Sequence, residues 1–286
     1  MVRAGPSRPS NQYLFCRGAD HALQRRAEPI LQPSGNPRTR TGPNDIWVAH
    51  RDCRYCAWLP PQRLGPPINT PFNNSGAVLS RDGHSLFFFS NRPGSVPAAD
   101  GAPSHDLWVA WRDNVHDDFA WGTPENLGGA VNTAGFEGGP SYFENDEGGA
   151  ELYFNRNPIN SGLGGDIYVA QRGADGSFAP AVPVAELNSP ASDQRPSIAH
   201  SGLELYFFSN RPGSLNGSND IWVSTRDSIE LPWGTPVNLG ETINTGVGEV
   251  HPLIVSHGDT DWLYFAHNVA TPPDINLDIF VSTRTR

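Results

Sequence analysis

The sequence predicts an all-β fold, a β-propeller of five blades of four antiparallel strands with an irregular N-terminal segment. Three observations carry that expectation. One strand is written five times, its copies recur at a regular interval, and the text between them holds only strand and turn signals. The copies read NDIWVAHR from Asn44, HDLWVAWR from His105, GDIYVAQR from Gly165, SNDIWVSTR from Ser218 and LDIFVSTR from Leu277. Their aspartates are Asp45, Asp106, Asp166, Asp220 and Asp278, which gives intervals of 61, 60, 54 and 58 residues.

The fourth repeat shows how one blade is built. QRPSIAH (194–200) alternates as a first strand and turns at Ser201-Gly202. LELYFFSN (203–210) is a second strand, closed by the Pro-Gly loop RPGSLNGSN. DIWVSTR (220–226) is the third, and WGTPVNLG (233–240) the fourth. Second strands recur as SLFFFSN, ELYFNRN and WLYFAHN, fourth strands as WLPPQRLG, WGTPENLG and a looser FAPAVPVAEL. Asn-Thr or Asn-Ser follows at 69, 132, 188 and 244. Aromatic and β-branched residues dominate because each sheet is covered on both faces by its neighbours. The Asp and Arg that end every third strand repeat in all copies and read as structural.

Composition bounds the function. With 30 Gly and 27 Pro in 286 residues the chain suits short strands and turns, and no apolar run is long enough for a membrane span. The net charge is −10, yet residues 1–63 hold ten Arg against four acids, leaving −16 for the remainder. Such a body repels phosphates and excludes general nucleic-acid binding. The first residues contain no signal-peptide apolar run. Cys16, Cys53 and Cys56 form no disulfide framework, although His50, Cys53 and Cys56 have metal-compatible spacing that Cys16 could complete. The domain division is 1–43, an irregular Arg-rich segment that the ring needs for closure, and 44–286, the propeller.

The combination of LYF-x-SNRPGS, DIWVSTR and SRDG (80–83) resembles the WD-like repeats of TolB-type bacterial propellers over about residues 44 to 284. That resemblance implies a propeller, with relatives often exported to the periplasm. It implies little about activity, since such propellers serve both as binding platforms and in hydrolases.

Candidate function lies where the repeats differ. Aligning NNSGAV, FEGGPS, SDQRPS and GEVHPL puts Asn74, Glu137, Asp193 and Glu249 in one column and Gly76, Gly139, Arg195 and His251 in another. The second strands end at Ser90, Arg156, Ser209 and His267. Both sets are expected at the mouth of the central channel. Gathered carboxylates require compensation, for which two sources are available, the neighbouring Arg residues or a bound cation. The expectation is a metal held by Glu249, His251 and His267, with Ca²⁺, Zn²⁺ or Mn²⁺ suited to that donor set and no organic cofactor. Glu137, Asp193, Arg195 and Arg156 are the catalytic candidates, and Asn74, Arg92 and Arg211 would bind substrate. A metal-activated water would then cleave a small ester, phosphoester or lactone, with glycoside cleavage a variant of the same class. The alternative is a non-catalytic propeller that binds a protein or saccharide partner. No nucleophile elbow, phosphate loop or zinc-protease motif is present.

Overall fold

The computed structural model describes residues 2–3, 26–28, 44–51, 58–98, 101–157, 164–271 and 274–286. Among them, nineteen strands form five antiparallel sheets. In chain order they begin with β1 (Val2–Arg3), then β2 (Arg26–Glu28), β3 (Trp47–Arg51) and β4 (Gln62–Arg63). The second blade is β5 (Asn74–Leu79), β6 (Ser85–Ser90), β7 (Asp106–Trp111) and β8 (Glu125–Asn126). The third is β9 (Phe136–Glu144), β10 (Ala150–Asn157), β11 (Asp166–Arg172) and β12 (Val182–Pro183). The fourth is β13 (Asp193–Ile198), β14 (Glu204–Ser209), β15 (Asp220–Thr225) and β16 (Val237–Asn238). The chain ends with β17 (Glu249–His257), β18 (Thr260–Thr271) and β19 (Asp274–Thr285).

The architecture is a β-propeller with four four-stranded sheets and one of three strands. The three-stranded sheet, β2-β3-β4, is the first blade. In the fifth blade the order is β1-β19-β18-β17, so β1 takes the place that a fourth strand holds in the other blades. QYLF (12–15), Cys16, Cys53 and Cys56 lie outside the described residues. The described residues contain no helix long and apolar enough to cross a membrane.

Each apolar cluster straddles two consecutive blades. Ile46, Val48 and Leu64 of the first pack with Leu86, Phe88 and Trp108 of the second. Phe87 and Leu107 meet Leu152 and Phe154 across the next interface. Tyr153 and Ile167 meet Phe207 and Trp222, and Phe208 and Ile221 meet Leu263 and Phe265. The core is thus divided among the interfaces, which is why one blade cannot stand alone.

The fourth strands are shorter than their text suggests, two residues each. In β8 and β16 a proline immediately precedes the paired residues and a glycine closes the segment two residues beyond them, which limits the ladder. The Asn of the following loop continues it instead. Asn244 Oδ1 accepts from the Ile221 amide at 2.7 Å and its Nδ2 donates to the Ile221 carbonyl at 3.0 Å. Asn69, Asn132 and Asn188 clasp Ile46, Leu107 and Ile167 in the same way. The repeated third-strand residues are likewise structural. Asp106 accepts from the Val96 amide, Ser104 and Asn126, while Arg112 and Arg226 lie 4.4 and 4.3 Å over Trp121 and Trp233.

Replacing Asn244 by Ala strips both bonds from a buried peptide unit, a loss of about 2 kcal/mol or more. Thermal unfolding of Asn244→Ala should therefore begin several degrees lower; an unchanged midpoint would remove the clasp from the account.

Candidate functional site at the propeller hub

Four inner strands, β5, β9, β13 and β17, line the axis, and each begins with the same buried corner. In the third blade Glu137 accepts from the Thr133 hydroxyl at 2.6 Å and the Thr133 amide at 3.1 Å, and Arg156 Nε reaches it at 2.8 Å. In the fifth, Glu249 accepts from the Thr245 amide at 2.9 Å and hydroxyl at 2.5 Å, with His267 Nε2 at 3.4 Å. In the fourth, Asp193 accepts from the Ser189 amide and hydroxyl at 2.6 and 2.8 Å and from Arg211 at 2.5 Å. In the second, Asn74 Oδ1 takes Arg92 at 2.7 Å and the Thr70 hydroxyl at 3.3 Å.

Side-chain length explains the sequence differences. Asp193 and Asn74 are short, and their Arg comes from two residues past the strand, with a Ser at the strand end bonded to its Nε at 3.2 Å. Glu137 and Glu249 are one methylene longer, and the basic side chain then stands two residues earlier, within the strand, as Arg156 or His267. The three guanidiniums also converge on equivalent carbonyls, of Ile68, Val131 and Leu187. Arg156 and His267, which look asymmetric in the alignment, restore in space what Arg92 and Arg211 do elsewhere.

The structure therefore does not gather the acids at the hub. Glu137, Asp193 and Glu249 are each fully buried, at 0% exposure, and sit in three separate corners with Arg156, Arg211 and His267. Asn74 and Arg92 occupy a fourth corner. Of the expected metal donors, Glu249 and His267 meet while His251 stands apart on the axis. Among the described residues no three His, Cys, Asp or Glu side chains are placed to hold a metal ion, so this donor set does not fit one.

What reaches the axis is the second column. A β-bulge interrupts each inner strand there, at Gly76, Gly139, Arg195 and His251. All four have left-handed backbone, with φ of 62°, 57°, 55° and 56°. Glycine adopts this freely; Arg and His do so at a cost of about 1–2 kcal/mol. Arg195 uses the room that the glycines leave. A Cβ on Gly139 would lie 2.6 Å from Arg195 Cδ and one on Gly76 would lie 3.0 Å from its Nη1, so the side chain crosses the hub toward the second blade. There its guanidinium rests 4.8 Å over Phe89. Burial, and secondarily the Arg195 charge, hold the His251 imidazole well below its usual range and therefore neutral. The waist bounded by these residues encloses about 70 Å³ and opens on the far side into a cavity of about 130 Å³.

Above the waist lies a rim that the alignment did not single out. The His105 ring stands 5.1 Å from Phe136 and 6.0 Å from Phe89, with Nε2 3.4 Å from Asn73 Nδ2. Burial lowers the His105 pKa, and Arg195 adds to the effect. The available signal was the residue before the repeated Asp, which is His only in the second copy.

Two tests follow from this geometry. His251→Gly should keep stability within about 1 kcal/mol of wild type, whereas His251→Val, β-branched in a left-handed position, should cost about 2 kcal/mol or more; equal losses would contradict the strain. Burial also pushes the Glu137 carboxyl from 4.5 up to about 7, against the Thr133 bonds and Arg156. The folded protein then keeps a proton that the unfolded chain releases, so this contribution is complete below about pH 4.5 and fades as pH rises through 7. Relative to Glu137→Gln, wild type should lose about 3 kcal/mol across that window; parallel denaturation profiles would exclude the raised carboxyl.

Comparison with known proteins bears on the fold. No protein-family model matches the chain, and no curated protein matches it either. Solved structures do. An α-L-arabinofuranosidase from Lactobacillus brevis aligns at TM-score 0.61 and 14% identity, covering 95% of this chain and 90% of that one. The Podospora anserina α-L-arabinofuranosidase in complex with cellotriose aligns at 0.59 and 9%, covering 97% and 98%. A β-xylosidase/α-arabinofuranosidase from a compost metagenome, in complex with xylotriose, aligns at 0.59 and 13%, covering 97% and 92%. The resemblance to TolB-type WD-like repeats is corrected by these findings: the similar structures are glycosidase propellers, and short strand and loop motifs had reported the shared blade text rather than the family. At these identities the likeness establishes the propeller fold.

Proposed function

We propose that this propeller takes a saccharide at its axial mouth, with Arg195 and His251 as the floor and Phe136 and His105 as the wall. The observation that carries the reading is the pair of non-glycine residues kept in left-handed backbone at the hub, at positions where the other two bulges use glycine. Strain of this kind persists where surrounding structure over-determines it, and it concentrates at ligand sites. The rim supplies half-buried aromatic faces beside amide and imidazole groups, the mixture that small-molecule sites use to orient a ligand. A waist of about 70 Å³ holds a few waters at most, so a sugar would rest above it. That similar propellers were crystallised with xylotriose and cellotriose agrees with the class.

Glycoside cleavage is a second reading, favoured by one feature of the third blade. Glu137, near pH 7 in its titration, shares a cross-strand row with Arg156 and Asp166, whose carboxyl is raised by burial and then by Asp193. A carboxylic acid near neutrality beside a second carboxylate is the equipment for protonating and displacing a glycosidic oxygen. In this reading Arg156 lifts from Glu137 as the sugar arrives.

Isothermal titration with xylotriose and cellotriose tests the first reading. Phe136→Ala should weaken binding roughly fivefold to tenfold through the lost ring face; no binding of either sugar to the wild type would defeat it. Release of reducing ends, lost in Glu137→Gln with affinity retained, would establish the second.

A further inference from the structure

We propose that His105 is a specificity-determining residue of the mouth, presenting its Nδ1–H as a donor to an acceptor oxygen of the sugar, and that Asn73 is the positioning residue that sets this polarity. The inference rests on the reading of the mouth as a saccharide site. Both residues occupy positions that recur around the rim. The residue before each corner is Asn73, Phe136, Ser192 or Gly248, and the residue before the third strand of the second, third and fourth blades is His105, Gly165 or Asn219. Among these, only Asn73, His105 and Phe136 bring an amide, an imidazole and a phenyl ring to one point, with the His105 ring 5.1 Å from Phe136 and its Nε2 3.4 Å from Asn73 Nδ2. The His105 carbonyl accepts from the Glu137 amide at 2.8 Å, which anchors this residue to the corner of the next blade.

The Asn44 amide donates to Asn73 Oδ1 at 3.1 Å. That contact forbids the reversed side-chain amide, so the group beside His105 Nε2 is the NH2 of Asn73. An NH2 group donates and does not accept; Nε2 must therefore accept, and the neutral ring carries its proton on Nδ1. Burial chiefly, and the Arg195 charge next, lower the His105 pKa against the opposing influence of Asp106, and the net lowering favours the neutral ring. Among the described residues no group bonds to Nδ1, and the half-buried ring leaves that nitrogen open at the rim. A sugar whose C–H face rests on Phe136 then meets one fixed donor beside it, and its hydroxyl, ring and glycosidic oxygens can all accept. A ligand edge without an acceptor leaves Nδ1–H unpaired and is disfavoured.

Asn73→Asp tests the polarity with almost no change of shape. One carboxylate oxygen keeps the Asn44 amide, while the other faces Nε2 and draws the proton to it, so the neutral ring turns an acceptor toward the sugar. Nitrogen NMR of the histidine-labelled full chain, with His105→Phe identifying the resonances, should show Nδ1 protonated in the wild type and Nε2 protonated in Asn73→Asp. Calorimetric titration with xylotriose and cellotriose, at a pH where the spectra show both rings neutral, should give binding about tenfold weaker in Asn73→Asp through the lost donor. His105→Phe keeps the ring packing and should weaken binding comparably, with its melting midpoint verifying the fold. A wild-type ring protonated at Nε2, or affinity unchanged in His105→Phe, would overturn the inference while leaving the saccharide reading in place. Failure of both sugars to bind the wild type would overturn both.

Discussion

The buried acid–cation corner is the contact on which the hub depends. In four blades an Asn, Asp or Glu at the start of the inner strand is tied to its own entry loop and to an Arg or His from the second strand or its exit loop. An unpaired carboxylate at 0% exposure would be costly, and breaking such a pair costs several kcal/mol. The corner therefore fixes three things together: where the inner strand begins, how the loop from the previous blade arrives, and which way the strand faces the axis. The matching of short acid with distal Arg, and long acid with in-strand Arg or His, keeps that geometry while the sequence changes.

With the corners closed, the bulge two residues further on becomes the position that can vary. Glycine there leaves space, and Arg195 fills it from the opposite side. His251 borders the same waist with its ring 5.9 Å from Phe208. Strain at two positions is thereby supported by rigid strands on every side, which is the arrangement that keeps a polar group in place without a mobile loop. The channel is narrow at this level, about 70 Å³, and wider on the far side, about 130 Å³.

Much of the fold was legible because its causes are local. The repeated DIWVSTR-type strand, the Pro-Gly loops and the periodic aromatics each report a strand or turn, and interleaved blades are the arrangement that buries them. The clasp made by Asn69, Asn132, Asn188 and Asn244 was visible as a recurring residue but not as a bond. The site was less legible. Variation at Arg156 and His267 looked like departure from symmetry, whereas it compensates for the length of Glu137 and Glu249. Side-chain reach cannot be read from an alignment column. Arg195 and His251 were identifiable as the odd members of a glycine position, and the structure shows that the oddity includes their backbone. His105 and Phe136 escaped notice because a loop residue of one repeat and a strand residue of the next meet only once the blades are stacked.

A crystal structure of the chain soaked with xylotriose would show directly where a sugar sits on the propeller. Sugar density is expected on the axis above Arg195, against Phe136, with the Asn74 corner and the three acid corners closed. Density confined to the outer rim, or a corner opened so that its carboxylate faces the sugar in the absence of any axial contact, would contradict it.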